Sequence, residues 1–173
     1  MYHVKCGTCA KFIFWRTYNM GFNVPAFLLT IGVCVISLII AGKSGSNEDK
    51  EWFANLNHPD NSFLLKRMNV IGIVFFSLFG FTLYRLFIIG DVIPIAFTIL
   101  IMLFMGLSPA LKYKTKNLKT FFLIMLIFPV LTAGLLSFLL PNSFVLAIPV
   151  IIFALWLVYD LSYYYRLMKL NKQ

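Results

Sequence analysis

Five runs of apolar residues, each close to the length that crosses a bilayer, are separated by polar punctuation along the chain, and one polar segment is far longer than the rest. Val24 to Gly42 carries no charge over 19 residues and opens with Pro25, which the first turn of a helix tolerates because its missing N–H has no partner there anyway. Met68 to Gly90 is interrupted only by Arg85, whose long side chain reaches an interface from near the end of the run. Val92 to Leu111 follows, with Pro94 near its start and Ser108-Pro109 near its end. In the fourth run, Thr120 to Leu140, Pro129 and Gly134 predict a kink or a close helix contact. The turn Pro141-Asn142-Ser143 puts Ser143 at the N-cap of the fifth, Phe144 to Tyr165. About 20 apolar residues span the hydrocarbon core, so the pattern predicts an all-α integral membrane bundle of five transmembrane helices.

The long polar segment, residues 43–67, joins the first and second spans. It holds four of the six acidic residues and the aromatic pair Trp52-Phe53. Connections longer than about 12–15 residues are usually functional or disordered, and an aromatic pair argues against plain disorder. The expectation is a lid folded against the membrane domain. Residues 1–23 mix Lys11 and Arg16 with Phe12, Phe14, Trp15 and Tyr18, which predicts a short interfacial helix at headgroup level.

Composition agrees with the pattern. The chain is 61% hydrophobic and 12% charged, against about 45–50% apolar for a soluble domain. Its 15 Lys and Arg against 6 Asp and Glu do not indicate nucleic acid, because the cations sit in short clusters between apolar runs, as juxtamembrane residues do. Five spans put the termini on opposite sides. The side with the long loop, the Lys112–Lys119 turn and the C-terminal tail carries eleven cations; the other carries Lys5, Lys11, Arg16 and Arg85. That asymmetry places the loop and C-terminus in the cytoplasm and the N-terminus outside a cell membrane.

Candidate chemistry is sparse. The histidines are His3 and His58, and no nucleophile-base motif or phosphate-cradling loop is present, so no catalytic residue is assigned. His3, Cys6 and Cys9 offer three ligands where a structural zinc site takes four; a redox pair or incidental thiols are expected there and no metal site is assigned. Aromatic residues, by contrast, recur at helical spacing. Gly72, Phe75, Phe79 and Thr82 share one face of the second span, and Phe153, Trp156, Asp160 and Tyr163 share one face of the fifth. Such faces either pack against neighbouring helices or wall a pocket for a flat apolar ligand covered by Trp52-Phe53. Asp160 is either an intramembrane functional carboxylate or a solvated interfacial one. Leu161 to Arg166 and Leu111 to Lys116 both match the loose sterol-contact pattern, whose specificity is poor.

The order of these features resembles the tryptophan-rich sensory protein / translocator protein family (TspO/MBR). Trp52-Phe53-x-x-Leu56-x-His58-Pro59 is similar to that family's loop motif Trp-Tyr-x-x-Leu-x-Lys-Pro, with His58 in place of Lys and Asn61 and Phe63-Leu64 departing further on. Leu78-Phe79-Gly80, Ser108-Pro109 and the series Pro149, Phe153, Trp156 and Tyr159 resemble further family segments, with Phe75 and Leu107 where Trp is usual. The resemblance covers about Phe27 to Asn171 and implies a homodimer of five-helix bundles. It also implies a pocket under the first loop for haem, protoporphyrin or sterol, with no required cofactor.

By position, Ser37, Trp52, Phe53, Phe75, Phe79, Phe153 and Leu157 would line that pocket, with Trp156 on the same aromatic face. Residues around Phe104 and Ile124 are apolar where the family often carries polar ones. The light-driven porphyrin breakdown suggested for some members leans on tryptophans that are Phe or Leu here, so binding rather than turnover is expected. The expected partners are an apolar small-molecule ligand, the lipid bilayer and a second copy of the chain. The competing expectation is a small structural or partner-binding membrane subunit whose aromatic faces are helix interfaces.

Overall fold

The computed structural model describes residues 22–43, 45–59 and 68–172. The interfacial helix expected within residues 1–23, the His3/Cys6/Cys9 group, Asn61 and Phe63-Leu64 therefore lie outside the described residues, apart from Phe22 and Asn23.

Every regular element among the described residues is a helix: α1 (Val24–Gly42), α2 (Asn47–Ala54), α3 (Met68–Ile89), α4 (Val92–Thr115), α5 (Leu118–Met125), α6 (Ile127–Asn142) and α7 (Phe144–Leu170). Five stretches are long and apolar enough to cross a membrane, and they include α5 and α6 as one span, Leu118–Asn142. The outside of the bundle is correspondingly apolar, with Val130, Leu155 and Val158 about 70% exposed, as lipid-facing side chains are. The chain reads as a multi-pass membrane protein.

Local chemistry sets the ends. Asn23 caps α1, its Oδ1 accepting from the Ala26 N–H at 3.0 Å, and Asn117 caps α5 through the Thr120 N–H at 3.0 Å. Ser143 stands at the N-cap of α7 in an extended conformation, but its side chain makes no capping bond. Gly90 ends α3 at φ +80°, with its N–H bonded to the Leu86 carbonyl. Inside the spans, hydroxyls bond back to the turn below, as Thr30 does to Ala26 at 2.8 Å and Thr98 to Pro94 at 2.7 Å.

Prolines act where their geometry dictates. Pro129 cannot donate to the Met125 carbonyl four residues back, and the fourth span breaks there, between α5 ending at Met125 and α6 beginning at Ile127. Pro109 leaves the Met105 carbonyl without its helical donor, and the adjacent Ser108 hydroxyl supplies a bond to it at 3.1 Å, so α4 continues unbroken.

Three spans run past their expected ends. The expected ends are Leu111 for the third, Leu140 for the fourth and Tyr165 for the fifth, yet α4 reaches Thr115, α6 takes in Pro141 and Asn142 of the expected turn, and α7 reaches Leu170. Charged residues end an apolar run without ending a helix, because Lys and Arg are good helix formers outside the hydrocarbon. Lys112 and Lys114 therefore lie on α4, not in a polar turn.

Spans α3, α4, α6 and α7 pack as a closed ring, each touching the next, and α1 lies against α3 and α4. A close approach is at Gly106 of α4, where an added Cβ would come within 2.5 Å of the Ser37 carbonyl oxygen of α1. Phe153 centres the aromatic core, with the Phe75, Phe79 and Phe128 ring centroids 5.1, 5.0 and 6.1 Å away in edge-to-face contacts.

Candidate ligand-binding site

The residues that build the lid come first. Ser46 and Asp49 form a capping box at the start of α2: the Ser46 N–H donates to Asp49 Oδ2 at 2.8 Å, and the Asp49 N–H donates to Ser46 Oγ at 3.3 Å. The long loop thus contains a helix, which Ser46 followed by Asp49 three residues later signals in the sequence. Asp49 also pairs with Lys116, 3.1 Å away between α4 and α5. The backbone bond from Ser46, then Lys116 and the Ser46 hydroxyl, hold the Asp49 carboxyl below the usual 3.8. Gly45, at φ +88°, lets the chain lie on the Tyr113 ring, where a Cβ would come within 2.6 Å.

The second half of the lid is held by α7. Asn57 and Asn171 bond reciprocally: the Asn57 N–H donates to Asn171 Oδ1 at 3.0 Å, and Asn171 Nδ2 donates to the Asn57 carbonyl at 3.1 Å. His58 lies 2.6 Å from the Tyr163 hydroxyl through Nδ1 and 2.9 Å from the Phe53 carbonyl through Nε2. The carbonyl can only accept, so Nε2 carries the proton and Nδ1 accepts from Tyr163. The lid is therefore fastened to the end of α4 at one side and to α7 at the other.

Beneath it lies a cavity of about 710 Å³, within the roughly 300–1,000 Å³ of small-molecule sites. Its walls come from every span. Leu38, Ala41 and Gly42 contribute from α1, Ile71, Gly72, Ile73, Phe75 and Phe76 from α3, Phe121 and Met125 from α5, Phe128 from α6, and Phe153, Trp156, Leu157, Asp160 and Tyr164 from α7. From α4 come Met105, Ser108, Pro109, Lys112 and Tyr113, and from α2 Lys50 and Phe53.

Of the residues singled out in the sequence, Phe53, Phe75, Phe153, Trp156 and Leu157 line this cavity. Three do not. Ser37 is fully buried at the contact between α1 and α4, its hydroxyl without a hydrogen-bond partner. Phe79 is also fully buried, behind Phe153. Trp52 packs beside Phe53, with ring centroids 6.3 Å apart, while Phe53 itself forms the roof.

Of the three charged residues that line the cavity, Lys50 is exposed, Lys112 half-buried and Asp160 buried. Lys112 holds its ammonium 3.8 Å from the Phe53 ring centroid and 4.6 Å from that of Tyr113. Sequence reasoning missed it by assigning it to a turn, although Met105, Ser108, Pro109 and Lys112 fall at helical steps of three and four. Asp160, which could have been interfacial, is instead 3% exposed at the cavity wall on α7, and its Oδ1 has no hydrogen-bond partner. Lys112 and Asp160 are not within ion-pair distance of each other. Among those residues no group of three His, Cys, Asp or Glu could hold a metal ion.

No family model, curated protein or solved structure matches the chain.

Proposed function

We propose that the protein is a membrane binding protein, a sensor or translocator, for a flat apolar ligand of the porphyrin or sterol class held in the cavity under the lid. One observation carries this reading. A cavity of about 710 Å³ is walled by the rings of Phe75, Phe153 and Trp156, roofed by Phe53 and provided with a few polar groups, which is the composition of a small-molecule site. The competing reading makes the aromatic faces helix interfaces of a structural or partner-binding subunit. Phe79 is packed solid as such an interface would be, whereas Phe75 and Phe153 border open space, which favours the cavity.

The order of motifs supports a second element of the proposal, that the chain is a divergent TspO/MBR member acting in a cell membrane as a homodimer. Its loop and C-terminus face the cytoplasm on the cation asymmetry. The Lys116 and Asn171 contacts to the lid put all three cation-rich segments at one end of the bundle, as that orientation needs.

Titration of the detergent-solubilised protein with protoporphyrin in the dark tests the reading, because Trp156 lines the cavity and its emission would be quenched by a bound porphyrin. The expected result is saturable, one-site quenching. Linear, unsaturable quenching would overturn the ligand reading and leave the structural-subunit reading in front.

A further inference from the structure

We propose that the cavity is selective for an aromatic ligand bearing an N–H donor, a protonated amine above all, and that Asp160 is the residue that receives it. The inference rests on the reading of the cavity as a ligand site and adds the chemistry of the ligand's polar end.

The starting point is an orphaned group. Asp160 is buried to 3% exposure on α7, six residues before Arg166, yet Oδ1 finds no donor in the protein. Buried polar oxygens are nearly always bonded, and an unmatched carboxyl far from water is costly to keep, so such a group marks a place where a partner arrives from elsewhere. Asp160 borders the cavity, so the partner can arrive there.

The surroundings define that partner. Lys112, the other charged group deep in the site, already rests on the faces of Phe53 and Tyr113 at the lid side. Its ammonium rests on ring faces outside ion-pair distance of Asp160, and Asp160 Oδ1 has no donor within hydrogen-bonding reach. Trp156 and Leu157 lie one turn before Asp160 on α7, Tyr164 lies one turn after it, and all three border the same space. A ring system stacked against Trp156 and Phe153 would therefore present a substituent to the carboxylate. An N–H satisfies the orphaned oxygen, and a cationic nitrogen also balances its charge away from water and faces the negative π surfaces of the walls. A free-base tetrapyrrole offers ring N–H donors to the same carboxyl; a metallated one has lost them.

A matched pair of probes tests the idea. 1-Pyrenemethylamine and 1-ethylpyrene share ring and side-arm shape and differ in carrying an ammonium or a methyl group. Affinities of both are measured by quenching of intrinsic Trp emission, for the wild type and for Asp160→Asn in the same detergent, so that partition into micelles cancels. The amine should lose at least about ten-fold in affinity on substitution, the scale of one charge-assisted hydrogen bond, while 1-ethylpyrene changes by less than about two-fold. Equal changes for the two probes would overturn the inference and leave the cavity reading standing. Absence of saturable binding by either probe would overturn both. Lys112→Met gives a second measurement that keeps Asp160 intact: removing the nearby positive charge should tighten amine binding several-fold, and an unchanged or weaker affinity contradicts the proposal.

Discussion

Individual residues in this chain are placed by what their backbone or hydroxyl groups can still bond. Ser108 supplies to the Met105 carbonyl the hydrogen bond that Pro109 cannot, which carries α4 on to the turn that holds Lys112. Asp49 works in the same way for the lid, closing the capping box and meeting Lys116. Its folded carboxyl titrates below its ordinary value, so its contribution is fully present above the unfolded value near 3.8 and is lost as pH falls through the lower folded value. Amide hydrogen exchange across residues 47–54 should therefore be insensitive to this group above about pH 5, after correction for intrinsic rates, and should accelerate only under strongly acidic conditions. Asp49→Asn should show the loosened lid at neutral pH. Identical protection in the variant would remove Asp49 from the account.

Among the elements, the apolar runs told where helices cross and said less about where they end. Val24 to Gly42 forms α1 over the same residues that lack charge, because there the loss of hydrophobicity coincides with the cap. Pro129 was readable as a break for a steric reason that needs no neighbour. The ends of α4 and α7 were not legible, since Lys112 and Arg166 mark the limit of hydrocarbon and not of helix. The aromatic faces of α3 and α7 were legible as periodicity, but not which rings would wall a space and which, like Phe79, would pack solid behind it. That distinction is set by how closely the spans approach, and the approach is controlled at points such as Gly106. Gly106→Ala gains up to about 1 kcal/mol of helix propensity but drives a Cβ to within 2.5 Å of the Ser37 carbonyl, a backbone atom that cannot rotate away. Overpacking of this kind costs about 1–3 kcal/mol, so the clash outweighs the propensity. Thermal unfolding in detergent should show Gly106→Ala less stable than wild type, while Gly32→Ala, which has nothing within 4 Å of the added Cβ and keeps the propensity gain, melts at or above wild type. Equal melting of both variants would mean that α1 and α4 are not in close contact.

For the whole molecule, the ring of α3, α4, α6 and α7 borders the cavity, α1 adds to its side, and the lid joins the ends of α4 and α7 above it. The proposed orientation follows from charge: a cysteine placed at Asn142 in a variant without native cysteines should be labelled from outside intact cells by an impermeant maleimide, and one at Asn171 should not. The reverse pattern would invert the topology. The central claim is that a ligand occupies this cavity, and blocking it is the most direct test. Gly72 borders the cavity with nothing within 4 Å of an added Cβ, so Gly72→Phe places a ring in the cavity without a clash at its base. Titrated with protoporphyrin beside the wild type, this variant should bind at least about ten-fold more weakly, a loss of roughly 1.4 kcal/mol or more, while its melting temperature stays within a few degrees. Undiminished binding by the blocked protein would contradict the account.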